Sequence, residues 1–149
     1  MFYCRTDMMI DKNNGFTLDT CFIIEASKNP ELASFYFQKG IYGSKIFITE
    51  IALNEAEHNG FDKTDILLKM KEIFGKVIVK DVTNEERIFG QQLEKICSVL
   101  HSGDSAILSF AKRNSTTLLT LDKNLAKACE FYDVDCILFL LSKKFGGYN

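Results

Sequence analysis

The chain has 149 residues, 46% of them hydrophobic and 26% charged, with one proline and no tryptophan. That length suits a single domain spanning 1–149 around one core; the apolar fraction is too high for disorder, and no apolar run approaches the roughly 18 residues of a membrane span. A net charge of −2 excludes a polycation that holds nucleic acid by bulk attraction.

The first residues, MFYCRTDMMIDKNNG, lack the charged start, apolar centre and small-residue cleavage site of a secretory signal. Residues 16–24 (FTLDTCFII) predict a strand running into a helix. Asn29-Pro30 opens a helix, with proline at its first position. That helix is expected to carry Leu32, Phe35 and Tyr36 on one face and to end near Gly40. Lys45–Thr49 predicts a second strand, followed by a helix to His58 that Asn59-Gly60 closes. Asp62 and Asp65 open the next helix, to about Phe74, where Gly75 stops it. Residues 76–82 (KVIVKDV) predict a third strand.

Thr83-Asn84-Glu85-Glu86 is a capping box, opening a helix to about Leu100. A break at His101-Ser102-Gly103 precedes a helix from Asp104 to Arg113. Residues 115–122 (STTLLTLD) predict a strand rich in β-branched residues, Asn124–Phe131 a short helix, and 134–140 (VDCILFL) a last strand. The tail KKFGGYN is expected to fray. Five strands separated by helices imply right-handed crossovers: a three-layer α/β sandwich with a mainly parallel sheet. Such folds bind ligands beyond the carboxyl ends of the strands, where strand order reverses.

Single acids fall at these places. Asp19 and Asp122 each end a strand, Asp104 starts a helix, and Glu55 lies two turns into the helix after the second strand. Four carboxylates crowded together repel, and each has its pKa raised. A hard divalent cation, Mg²⁺ or Mn²⁺, removes that conflict and can activate water for attack on phosphorus. It also draws phosphate to a net-acidic protein. The plain alternative is two helix caps, one turn aspartate and one solvated glutamate.

The segments LDTCFIIE (18–25), ITEIALNEAEHNG (48–60), GDSAILSFAKRN (103–114) and LLTLDKNLAKAC (118–129) resemble the PIN-domain ribonucleases, in particular the compact toxins of the VapC type. The resemblance covers most of residues 16 to about 139. It implies a five-stranded parallel sheet of order 3-2-1-4-5 and Mg²⁺- or Mn²⁺-dependent endonucleolytic cleavage of RNA. The family's four acids fall on Asp19, Glu55, Asp104 and Asp122, as metal ligands and catalytic groups. Thr20 matches the hydroxyl residue that follows the first aspartate; Cys21 stands where many members have asparagine, and Asn124 where some have a further acid. Residues 1–14 precede the usual family start and stand open between an extra strand, a dimer arm and a disordered extension.

Around the acids, Thr20 and Lys123 are the candidate substrate contacts, and Glu50 and Glu57 rival Glu55 if the helix phase slips. His58 and His101 are expected at the surface. Lys112-Arg113, Lys127 and Lys143-Lys144 are candidates for a basic rim that positions RNA, against ordinary charged surface positions. Phe35-Tyr36-Phe37 spreads aromatic area beyond one stripe, and early helices carry dimer contacts in the family, so a homodimer is expected. Five scattered cysteines (Cys4, Cys21, Cys97, Cys129, Cys136) without a CxxC pair favour buried thiols and a cytoplasmic protein over a disulfide framework.

The resulting expectation is a metal-dependent endoribonuclease, either the toxin of a toxin–antitoxin pair or an RNA-processing enzyme. As a toxin it would have an antitoxin protein that inserts a basic side chain into the acids. The alternative is a non-catalytic PIN-like interaction module in an RNA-processing assembly. A phospho-accepting receiver domain fits less well: Asp19-Thr20 is not an acidic pair, and Asp81, its required acceptor, has no supporting signature.

Overall fold

A computed structural model describes residues 3–4, 14–37, 41–96, 100 and 102–139. Chain order is β1 (Tyr3–Cys4), β2 (Phe16–Leu18), α1 (Thr20–Lys28), α2 (Pro30–Phe37), β3 (Ile46–Thr49), α3 (Glu50–His58), α4 (Lys63–Phe74), β4 (Val77–Lys80), α5 (Asn84–Ile96), α6 (Ser102–Asn114), β5 (Thr117–Thr120), α7 (Lys123–Phe131) and β6 (Cys136–Leu138). The strands lie in the order β1-β6-β5-β2-β3-β4. The five from β2 to β6 are mutually parallel and reproduce the order 3-2-1-4-5. β1 is a sixth strand, antiparallel to β6, with Tyr3 opposite Leu138 and Cys4 opposite Ile137. The start of the N-terminal extension is therefore an added strand that covers one sheet edge.

β2 sits between β3 and β5, and all three of its residues are buried, as expected of a parallel strand covered on both faces. Right-handed crossovers of this order put the helices after β2 and β3 on one face and those after β4 and β5 on the other. The packing agrees. α4 touches α1 and α2, α6 touches α5 and α7, and α3 meets both α1 and α6. On one face Phe22, Phe37, Phe74 and Phe139 form a four-ring cluster with centroids 5.2–6.2 Å apart.

Local chemistry places the helix ends. Thr49 Oγ1 accepts from Ala52 N at 3.1 Å, and Asp62 Oδ2 accepts from Asp65 N at 3.0 Å. Gly75 closes α4 at φ +93°, where a side chain would be strained. The capping box at α5 is reciprocal: Thr83 N donates to Glu86 Oε1 at 2.8 Å, and Glu86 N to Thr83 Oγ1 at 3.1 Å.

Two expectations need correction. The buried face of α2 is Ala33 and Phe37, while Phe35 is 74% exposed and Leu32 half-buried. The segment is apolar nearly all round, so its periodicity left the phase open, and the aromatic cluster fixed it. α6 begins at Ser102, with Gly103 inside its first turn and not in a break before it. The predicted ends near Gly40 and Leu100, His101, and the tail with Lys143-Lys144 lie outside the described helices and residues. Among the described residues, no helix is long and apolar enough to cross a membrane. Cys129 and Cys136 are buried and Cys21 is half-buried, and no disulfide joins them to one another.

Candidate active site

The strand order reverses at β2, between β3 and β5, and a cleft of about 340 Å³ opens there. Asp19, Glu55, Asp104 and Asp122 all line it, each from a different element. Asp19 follows β2 and caps α1, Glu55 comes from α3, Asp104 from the first turn of α6, and Asp122 caps α7 after β5. Thr20, Cys21 and His58 share the lining.

Asp19 is 2% exposed at the floor. Its backbone N–H donates to Leu119 O at 3.1 Å, which ties the end of β2 to β5. Its Oδ1 accepts from Thr20 N at 2.7 Å. Its Oδ2 accepts from Thr120 Oγ1 at 2.6 Å and from Cys21 Sγ at 3.0 Å. Burial pushes the Asp19 carboxyl above its usual range; hydrogen bonds from Cys21, Thr120 and the Thr20 backbone oppose this, and the Asp122 charge adds to it. Burial also pushes the Cys21 thiol up, with the neighbouring Asp19 charge adding to it, and the thiol donates to Asp19.

Glu55 Oε1 accepts from Thr20 Oγ1 at 2.5 Å. Of its rivals, Glu57 is exposed and 3.6 Å from Lys63, and neither Glu50 nor Glu57 lines the cleft. Asp122 has two engagements: it lines the cleft, and its Oδ1 accepts from Asn124 N at 2.8 Å and Leu125 N at 3.4 Å. Thr120, a residue the motifs did not single out, joins the two aspartates. Its hydroxyl donates to Asp19 and accepts from Asp122 N at 3.0 Å. The available signal was a buried hydroxyl two residues before a strand-end acid.

Other candidates fall elsewhere. His58 is exposed at the rim of the cleft. Lys123 is exposed at the first position of α7 and does not line the cleft. Lys112 and Arg113 sit in the last turn of α6, about 12 Å along the helix from Asp104 at the usual rise per residue. There Lys112 donates to Tyr132 O at 2.7 Å and Arg113 pairs with Glu85 at 3.0 Å.

Among the described residues no three His, Cys, Asp or Glu side chains form a ready-made metal cage. Hydrogen-bond donors of the protein hold Asp19, Glu55 and Asp122. The donor set nevertheless suits a hard divalent cation. It offers carboxylate and hydroxyl oxygens, and among the described residues that line the cleft there is no lysine or arginine.

No family model matches the chain, and no curated protein matches it in sequence. Solved structures do match the fold. VapBC2 from Rickettsia felis, bound to a DNA fragment from its promoter, superposes with a TM-score of 0.62 at 17% identity, over 81% of this chain and 96% of that one. DNA-bound VapBC from Salmonella typhimurium gives 0.58 at 20% identity, over 80% and 92%. FitAB bound to the IR36 DNA fragment gives 0.56 at 18% identity, over 81% and 92%. The chain thus shares the α/β fold of chains in the VapBC and FitAB structures, the PIN-like fold that the motif resemblance implies.

Proposed function

We propose that this chain is a metal-dependent endoribonuclease, the toxin of a toxin–antitoxin pair. The observation that carries the reading is the convergence of Asp19, Glu55, Asp104 and Asp122, from four elements, on one cleft at the switch point of the sheet. A carboxylate as buried as Asp19 is costly without a cation to balance it. Asp19 and Asp104 are the principal candidate ligands for Mg²⁺ or Mn²⁺, with Glu55 and Asp122 completing the set. When bound, the cation would supply Lewis-acid activation of water toward phosphorus. Thr20 orients Glu55 through its hydroxyl, and Glu55 or Asp122 accepts the proton. The VapBC and FitAB neighbours support an antitoxin partner, whose basic side chain would enter the same acids.

One observation favours a second reading, a non-catalytic interaction module: protein donors already hold Asp19, Glu55 and Asp122. RNA cleavage in Mn²⁺, by the wild type and by Asp104→Asn, each with and without chelator, separates the two. The ribonuclease reading expects cleavage that needs metal and is lost in the variant. Equal inactivity of both proteins, with no Mn²⁺ shift in either melting temperature, gives the lead to the interaction module.

A further inference from the structure

A second cleft, of about 290 Å³, opens beside the first, and Glu55 lines both. α5 contributes Arg87, Gln91 and Glu94, spaced as one helical face. α6 contributes Ser105, whose hydroxyl donates to Glu94 Oε2 at 2.5 Å. Among the described residues lining either cleft, Arg87 is the single permanent cation.

Arg87 is exposed and makes no ion pair among the described residues. The glutamates around it have other partners. Glu85 pairs with Arg113 at 3.0 Å. Glu86 accepts from Thr83 N at 2.8 Å and from Asn114 Nδ2 at 3.0 Å. Glu94 holds Ser105, and Glu55 accepts from Thr20. With those carboxylates engaged, Arg87 stands exposed in the lining of the second cleft.

We infer that the second cleft is a substrate subsite, in which Arg87 positions the RNA phosphate next to the scissile one. This rests on the ribonuclease reading above. A polynucleotide approaching the four acids is repelled by each carboxylate not balanced by a cation. In the second cleft, the guanidinium fork of Arg87 matches two oxygens of a phosphate, and Gln91, one helical turn further along α5, adds a neutral donor. Glu55 forms the shared wall, so a strand held in the second cleft runs past the carboxylate that faces the first.

The test uses Arg87→Ala and Arg87→Lys in the full chain, with a fluorescein-labelled single-stranded RNA as probe. Kinetics in Mn²⁺ are expected to show KM raised about 10-fold in Arg87→Ala with kcat nearly kept, the pattern of lost uniform binding. Binding is read by anisotropy against salt in an Asp104→Asn background, which stops cleavage. Removing one phosphate contact should lower the slope of log affinity against log salt by about 0.7. Arg87→Lys should restore the slope and recover only part of the affinity, because an ammonium lacks the fork. Unchanged KM and slope in Arg87→Ala, with the wild type cleaving, overturn the subsite and leave the ribonuclease reading intact. A wild type that neither cleaves nor binds the probe overturns both.

Discussion

Gly103 lies against the carboxylate of Glu55 so closely that a Cβ at position 103 would overlap Oε2 and come within 2.7 Å of Cδ. The residue that looked like a helix break is a helical position kept small for a catalytic candidate. Alanine in a helix interior is favoured over glycine by up to about 1 kcal/mol. At position 103 that gain meets a steric cost set by Glu55. Gly103→Ala is therefore expected to be neutral or destabilising in the wild type and stabilising in a Glu55→Ala background. Urea unfolding of the four proteins should give a coupling of about 1 kcal/mol. Gly103→Ala should also lower Mn²⁺-dependent cleavage about 10-fold or more, by displacing Glu55. Equal stability changes in both backgrounds would show that the two residues do not touch.

A cation held by the acids of the folded state stabilises that state by mass action. At a concentration 100 times its Kd the gain is about 2.7 kcal/mol. Mn²⁺ is accordingly expected to raise the melting temperature of the wild type. The rise should shrink most in Asp19→Asn and Asp104→Asn. It should shrink less in Asp122→Asn, since one Asp122 oxygen already accepts from Asn124 N. Differential scanning fluorimetry over a Mn²⁺ titration reads this. A uniform rise across all variants would place the cation outside the cleft.

Asp122 combines a cap and a cleft position, and two substitutions separate them. Asparagine caps a helix as well as aspartate, whereas alanine costs about 1 kcal/mol. Asp122→Asn should keep the stability of the protein and lose cleavage; Asp122→Ala should lose both. If Asp122→Asn keeps full activity, the residue is a cap alone.

Asp19 and Asp122 were legible because each follows a strand and caps the next helix, and Asp104 because it stands in a helix's first turn. Glu55 was distinguishable from Glu50 and Glu57 only by motif; the structure fixes the phase, because Ala52, Leu53 and Ala56 are buried and Glu55 lies beside them, facing Thr20. Other features depend on residues far apart in the chain. Gly103 is explained by a side chain of α3, and Thr120 by a carboxylate 101 residues away. Neither contact leaves a periodic trace. The pairing of β1 with β6 involves two residues on each strand, too short a pattern to read. Arg87 looked like any charged residue on an exposed helix, because its cleft is assembled from α3, α5 and α6.

Thr120 gives the sharpest test of how the site is held. Its fully buried hydroxyl donates to Asp19 Oδ2 and accepts from the backbone N–H of Asp122, so a single oxygen sets the spacing of two candidate ligands. Valine has nearly the same shape without the hydroxyl. Thr120→Val leaves Asp19 short of one donor and the Asp122 N–H without its acceptor, a cost of about 1–3 kcal/mol for the buried group. Denaturant unfolding is expected to show a loss in that range. Mn²⁺-dependent cleavage and the Mn²⁺ shift in melting temperature should fall together, because both aspartates lose a partner. Thr120→Ser keeps the hydroxyl and should recover most of both. A Thr120→Val protein that is destabilised yet binds and cleaves normally would show the hydroxyl to be a fold contact that leaves the aspartates in place.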